Sequence, residues 1–138
     1  MDYCADFFAD FSKDKARAML SRLAIGEKQR IRTLSKGNKE KVSLILTMAR
    51  DARLYILDEP IAGVDPAARD YILDTVLANR AEGSTVLLCT HLIYDVQNVL
   101  TQAVFLNRGT IALNANVADL CAQEGKPLDE IFKEMFRW

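Results

Sequence analysis

The spacing of apolar positions along this chain changes character once, near residue 50. Before that point it is helical. Tyr3, Phe7, Phe8 and Phe11 mark one apolar stripe. Ala16, Met19, Leu20 and Leu23 follow at i, i+3, i+4 and i+7, behind Ser12 as an N-cap. Residues 24–32 form a polar connection with Gly26 as its breaker, and Ser35 stands before a helix predicted from about Asn38 to Ala49. Beyond residue 50 short continuous apolar runs alternate with helical stretches. Leu54-Tyr55-Ile56-Leu57 ends in acids, as a buried parallel strand does. Asp65-Pro66 offers an N-cap and a proline at the first helical position. The helix it opens carries Tyr71, Ile72, Val76 and Leu77 and stops at Gly83. Residues 84–90 (STVLLCT) read as a second buried strand and residues 92–100 as a second helix. Residues 103–107 and 110–113 flank Arg108-Gly109, a two-residue hairpin signal. Helices from Val117 and Leu128 complete the pattern.

Strand, helix, strand, helix, strand predicts an α/β layer built on a parallel sheet, preceded by a helical segment. Ligand chemistry in such a sheet gathers at the carboxyl ends of the strands. Asp58 and Glu59 follow the first strand there, and Thr90 and His91 the second. An aspartate at the end of an apolar strand is where a nucleotide's Mg²⁺ is held in phosphate-loop NTPases, and one or two protein carboxylates suffice for that ion. A second acid directly after it can orient an attacking water. His91, the chain's one histidine, is either a structural imidazole or a group that meets both a terminal phosphate and Glu59. Residues 34–38 (LSKGN) admit two readings: an ordinary N-cap, or an anion site in which the Ser35 hydroxyl and free N–H groups meet a phosphate at the positive helix end.

Composition narrows the field. The 138 residues are 50% hydrophobic and 27% charged, which suits a globular domain and excludes a disordered chain. No apolar run is long enough to span a bilayer, and the acidic opening MDYCADFFAD lacks the basic start of a signal peptide, so a cytosolic protein is expected. Cys4, Cys89 and Cys121 have no metal-ligand spacing, and they are expected to be packing residues. The net charge of −1 conceals a basic stretch: residues 13–41 hold ten Lys/Arg against three acids. That stretch is a solvated helical surface or a field that favours phosphates.

Taken together and in order, these residues resemble the ATP-binding cassette (ABC) ATPase family over about residues 12–113. LSKGN at 34–38 is similar to the family's LSGGQ signature, with Lys36 replacing Gly and Asn38 replacing Gln. LYILDE at 54–59 is similar to the Walker B motif and its glutamate, residues 62–65 (AGVD) to the D-loop, and Thr90-His91 to the switch region.

The resemblance implies a partial RecA-like phosphate-loop NTPase core. Residues 1–50 would be a helical signature subdomain, 51–115 half of the ATPase core, and 116–138 a helical tail. It implies ATP and Mg²⁺ as cofactors: Asp58 holding the metal through its waters, Glu59 as general base, His91 as phosphate sensor. Ser35, Lys36, Gly37 and Asn38 would face the ATP of a second nucleotide-binding subunit, with Asp65 at the dimer interface. It further implies, the LSKG form pointing to transporter ATPases that work with a separate membrane subunit, a transmembrane permease as partner and a place at the inner face of the cell membrane; the direction expected is export.

No GxxxxGK(S/T) occurs in the chain, and the family's adenine-stacking aromatic and glutamine loop are missing too. The chain is therefore expected to begin just past that loop, Met1 being an internal methionine or the start of a truncated frame, and to be inactive alone. Two other readings stay open: a soluble ABC ATPase working on nucleic acid or ribosomes, and a remnant without turnover that binds a partner. The basic stretch lacks the aromatic interleaving that stacks bases, so no nucleic acid is expected.

Overall fold

A computed structural model describes residues 1–137, leaving out the side chains of Ala67 and Ala68. The chain forms two compact units, residues 1–90 and a second beginning at His91.

In the first unit, α1 (Asp2–Phe7) leads into α2 (Lys13–Arg22). Ser12 caps α2 as its sequence position predicts, its Oγ accepting from the Lys15 N–H at 3.2 Å. Ala16, Met19 and Leu20 bury the apolar stripe of α2 against α3 (Lys36–Met48), which contributes Val42, Ile45 and Met48. The segment between α1 and α2 is tied to the far end of α3. Ser12 N–H donates to the Ala49 carbonyl at 2.8 Å, and Asp51 N–H to that of Asp10 at 2.9 Å. The Arg50 guanidinium grips both oxygens of Asp10 at 3.0 to 3.3 Å and lies 4.0 Å over the Phe8 ring.

β1 (Leu54–Asp58) and β2 (Thr85–Cys89) pair in parallel, Leu54 against Thr85 through Asp58 against Cys89. α4 (Pro66–Asn79) is the crossover between them. The expectation of strands buried on both faces holds for one face only. Tyr55 and Leu57 are buried, while Leu54, Ile56 and Leu87 are exposed. The reason is alternation: successive side chains leave opposite sides of a strand, and among the described residues the second side is uncovered.

Tyr55 is the keystone of the buried face. Its hydroxyl donates to the Arg50 carbonyl at 2.7 Å and accepts from the N–H groups of Ala52 and Ala81 at 3.3 and 3.1 Å. Tyr55→Phe leaves half-buried backbone groups without this partner and should cost about 1 kcal/mol of stability. Urea unfolding of the chain would measure it, and an unchanged midpoint would remove the hydroxyl from the account.

In the second unit, residues 92–100, expected as one helix, divide into α5 (Ile93–Val96) and a 3-10 turn over Gln97–Val99. Val and Asn are weak helix formers, and so short a helix has little to extend it. β3 (Gln102–Asn107) and β4 (Thr110–Asn116) form the expected hairpin. Arg108 and Gly109 both take left-handed φ, +47° and +82°, as a tight two-residue connection demands. α6 (Val117–Glu124) and α7 (Leu128–Met135) pack on the hairpin through Phe105, Val117, Leu128 and Phe132. The Phe105 and Phe132 rings meet edge to face at 5.1 Å. Asp129, next to Lys133 Nζ at 2.8 Å, has its carboxyl held below the ordinary aspartate range by that hydrogen bond.

Candidate functional site

Leu34 is buried and anchors the loop that opens α3. The helix starts at Lys36, two residues before the expected Asn38, because Ser35 caps it directly. Ser35 Oγ accepts from the Asn38 N–H at 3.2 Å, and the Lys39 N–H donates to the Ser35 carbonyl at 3.0 Å. The N–H groups of Lys36 and Gly37 are left without a protein acceptor among the described bonds, as first-turn amides are. Ser35 can still donate its own hydroxyl hydrogen. Nothing lies within 4 Å of where a Gly37 Cβ would sit, so the approach to these amides is open. Lys36 is exposed and stands 4.0 Å from Glu40, and Asn38 is half-buried. Exposed donors at the positive end of a thirteen-residue helix suit a phosphate delivered from outside the unit.

At the other site, β1 carries Asp58 to the sheet's carboxyl edge with its side chain exposed. The chain then turns sharply. Glu59 has φ +46°, a left-handed conformation that costs a residue with a Cβ about 1–3 kcal/mol and tends to gather at functional sites. Its N–H donates to the Cys89 carbonyl at 2.8 Å, continuing the β1–β2 ladder by one step. That step sets Glu59 beside Thr90, whose hydroxyl donates to Glu59 Oε2 at 3.0 Å. Half-buried and held at Oε2 by the Thr90 hydroxyl, the carboxylate is of the residue type that can take a proton from a water placed before it.

After Glu59 the Ala62 N–H returns to the Glu59 carbonyl at 3.2 Å, and Ile61 is wholly buried beneath the turn. Gly63, at φ +71°, carries the chain out to Asp65, which is exposed at the head of α4. The Asp65 carbonyl accepts from the Arg69 N–H at 3.1 Å, while Arg69 Nε donates to the Val64 carbonyl at 3.2 Å.

The structure thus brings Asp58, Glu59 and Thr90 to one strand end and sets Asp65 one turn further along. Ser35, Lys36, Gly37 and Asn38 form a separate helix mouth. His91 is exposed and opens the second unit. Thr90 as the partner of Glu59 was not read from the sequence, which placed it at the strand end but gave the chemistry to His91. The signal is the strand register, one step past Asp58 opposite Cys89, and register is not visible in local periodicity.

Among the described residues no group of three or more His, Cys, Asp or Glu could hold a metal. The exposed carboxylate of Asp58 therefore fits Mg²⁺ shared with water and nucleotide oxygens better than a cation caged by protein. No helix among the described residues is long and apolar enough to cross a membrane.

Comparison with known proteins adds to this geometry. Residues 7–62, the helical segment through the Glu59 turn, match the family model described as ABC transporter. A thiamine import ATP-binding protein of Mesorhizobium japonicum is 39% identical over 77% of this chain and 43% of its own. An energy-coupling factor transporter ATP-binding protein of Clostridium perfringens is 33% identical over 63% of this chain and 31% of its own. A solved structure of the ATP binding subunit of an ABC transporter superposes with a TM-score of 0.74 at 27% identity, covering 91% of this chain and 56% of that one. The chain spans less than half the length of these two curated relatives.

Proposed function

This chain belongs to the ABC transporter ATP-binding family, with the α/β phosphate-loop NTPase fold of its members, and from that premise we propose that it forms the signature-bearing, water-activating part of a nucleotide-binding domain. The observation that carries the reading is the Glu59 turn. A strained glutamate follows a strand-end aspartate, gripped by Thr90 from the neighbouring strand, inside a segment the family model matches.

In this reading Asp58 holds Mg²⁺ through its waters. Glu59 accepts the proton of the water that attacks the terminal phosphate, and Thr90 keeps it aimed. His91 senses that phosphate. Ser35 and the amides of Lys36 and Gly37 receive the terminal phosphate of ATP bound by a second nucleotide-binding subunit, Lys36 and Asn38 flank them, and Asp65 lies where the two subunits meet. The Mg²⁺ supplies charge neutralisation at the phosphates, and the protein supplies position. The complete domain works at the inner face of the cell membrane and drives a separate membrane permease.

The expected export direction stands beside a second reading. Import is favoured by the 39% identity to a thiamine import ATP-binding protein. Transport assays with the complete complex in right-side-out and inverted vesicles separate the two by which preparation accumulates substrate.

The chain alone should bind Mg-ATP weakly or not at all. It offers a metal-side carboxylate and one open helix mouth but no GxxxxGK(S/T) cradle. Isothermal titration is the measurement, and a micromolar dissociation constant would show that the described residues hold nucleotide without that loop.

A further inference from the structure

The connection between α2 and α3 gathers cations that its own acids do not neutralise. Residues 24–41 hold six Lys/Arg (Lys28, Arg30, Arg32, Lys36, Lys39 and Lys41) against two acids, Glu27 and Glu40. Both acids are engaged: Glu27 meets Arg17 Nε at 3.3 Å, and Glu40 lies 4.0 Å from Lys36. Asp10 and Asp51 are occupied by Arg50 and Lys15 at the far end of α3. Lys28, Arg30 and Arg32 are exposed and make no ion pair among the described residues. Between the two arginines stands Ile31, 58% exposed.

The loop holds its own shape. Ile25 and Leu34, both buried, pin its two ends. The Gln29 N–H donates to the Gly26 carbonyl at 3.0 Å, and the Leu34 N–H to that of Ile31 at 3.1 Å. Thr33 donates both its N–H and its hydroxyl to the Arg30 carbonyl, at 2.9 and 2.8 Å. A turn closed in this way presents Arg30, Ile31 and Arg32 together, with little left to order on contact.

We propose that this loop docks on the anionic phospholipid headgroups of a bilayer, Ile31 entering the headgroup boundary while Lys28, Arg30 and Arg32 meet the phosphates. Clusters of about four to eight cations attract a protein to such a surface, and an apolar residue among them supplies the second signal that attachment needs. A nucleic acid fits less well. Residues 24–41 contain no Phe, Tyr or Trp to stack a base, and an isoleucine between two arginines meets nothing apolar on a phosphate backbone. The proposal goes beyond the nucleotide reading: it needs neither Mg-ATP nor turnover, so either can fail without the other.

Vesicle flotation of the nucleotide-free chain is the measurement. A net charge of −1 gives the chain as a whole no attraction to an anionic surface, so association reports a local patch. The chain should float with phosphatidylcholine vesicles containing roughly a third phosphatidylglycerol but not with phosphatidylcholine alone, and salt near ~0.5 M should release it. Lys28→Gln/Arg30→Gln/Arg32→Gln should lower the affinity by about 10²-fold, around fivefold per charge. All three positions are exposed, so its circular dichroism melt should not move. Arg108→Gln/Arg137→Gln removes exposed cations from the second unit and should leave flotation unaltered. Trp138 is the chain's one tryptophan. In a Trp138→Phe chain, Ile31→Trp emission should shift to the blue on anionic vesicles, as an indole leaving water does.

The proposal is overturned by four results: no preference for anionic over neutral vesicles, undiminished affinity in the triple variant, an equal loss in the Arg108/Arg137 variant, or unmoved Ile31→Trp emission. A single-stranded oligothymidylate that binds more tightly than the vesicles and releases the chain from them would make a nucleic acid the partner and overturn it too.

Discussion

Glu59→Gln in the complete subunit should lower ATP hydrolysis by on the order of 10²-fold or more while leaving ATP binding intact. The amide keeps the size of the side chain and can still accept from Thr90, whose hydroxyl lies 3.0 Å from Glu59 Oε2. It has neither the charge nor the basicity to take a proton from water. Because binding persists and turnover does not, the variant should accumulate as an ATP-bound dimer on size exclusion. Thr90→Val is the useful companion. It removes the grip but not the base, so it should lower kcat by less than Glu59→Gln does. Unimpaired turnover in Glu59→Gln would take Glu59 out of the mechanism, whatever the geometry of its turn.

Ser35→Arg should reduce turnover by about 10²-fold or more, the scale on which losing a donor to developing charge is felt. It should leave each subunit's own nucleotide affinity nearly unchanged. The Ser35 hydroxyl sits at an open helix mouth beside the amides of Lys36 and Gly37, which have no protein acceptor among the described bonds. A long cationic side chain there blocks the approach of a phosphate and removes the cap as well. Losing the cap alone costs about 1 kcal/mol, so Ser35→Ala serves as the control for stability. If the signature acts on the partner's nucleotide, activity should depend on subunit concentration. A Ser35→Arg subunit that hydrolyses ATP normally at high dilution would sink that arrangement. Mixing it with a subunit defective in its phosphate-loop lysine leaves one composite site free of both lesions, and partial activity should return there.

Much of this protein was determined by its sequence alone, and for a local reason. Helix caps, apolar periods and turn residues act over a few positions. Ser12 and Ser35 therefore announced their helices, Arg108-Gly109 its hairpin, and the runs ending at Asp58 and Cys89 their parallel strands. The order of LSKGN, LDE and AGVD was legible in the same way, since each motif is a short contiguous string.

What the tertiary structure decided was pairing between distant segments. Thr90 reaches Glu59 because the β1–β2 register continues one step past Asp58 and Cys89. A one-residue slip would have turned Thr90 to the other face. Arg50 holds Asp10 and Phe8 across forty positions of chain, a contact no periodicity encodes. The runs at 54–57 and 86–88 read alike as buried in both directions. Only the tertiary packing, which covers one side of the sheet, separated Tyr55 and Leu57, which the fold buries, from Ile56 and Leu87, which it leaves exposed. Hydrophobicity states what a residue gains by burial, and the arrangement of its neighbours decides whether the burial occurs.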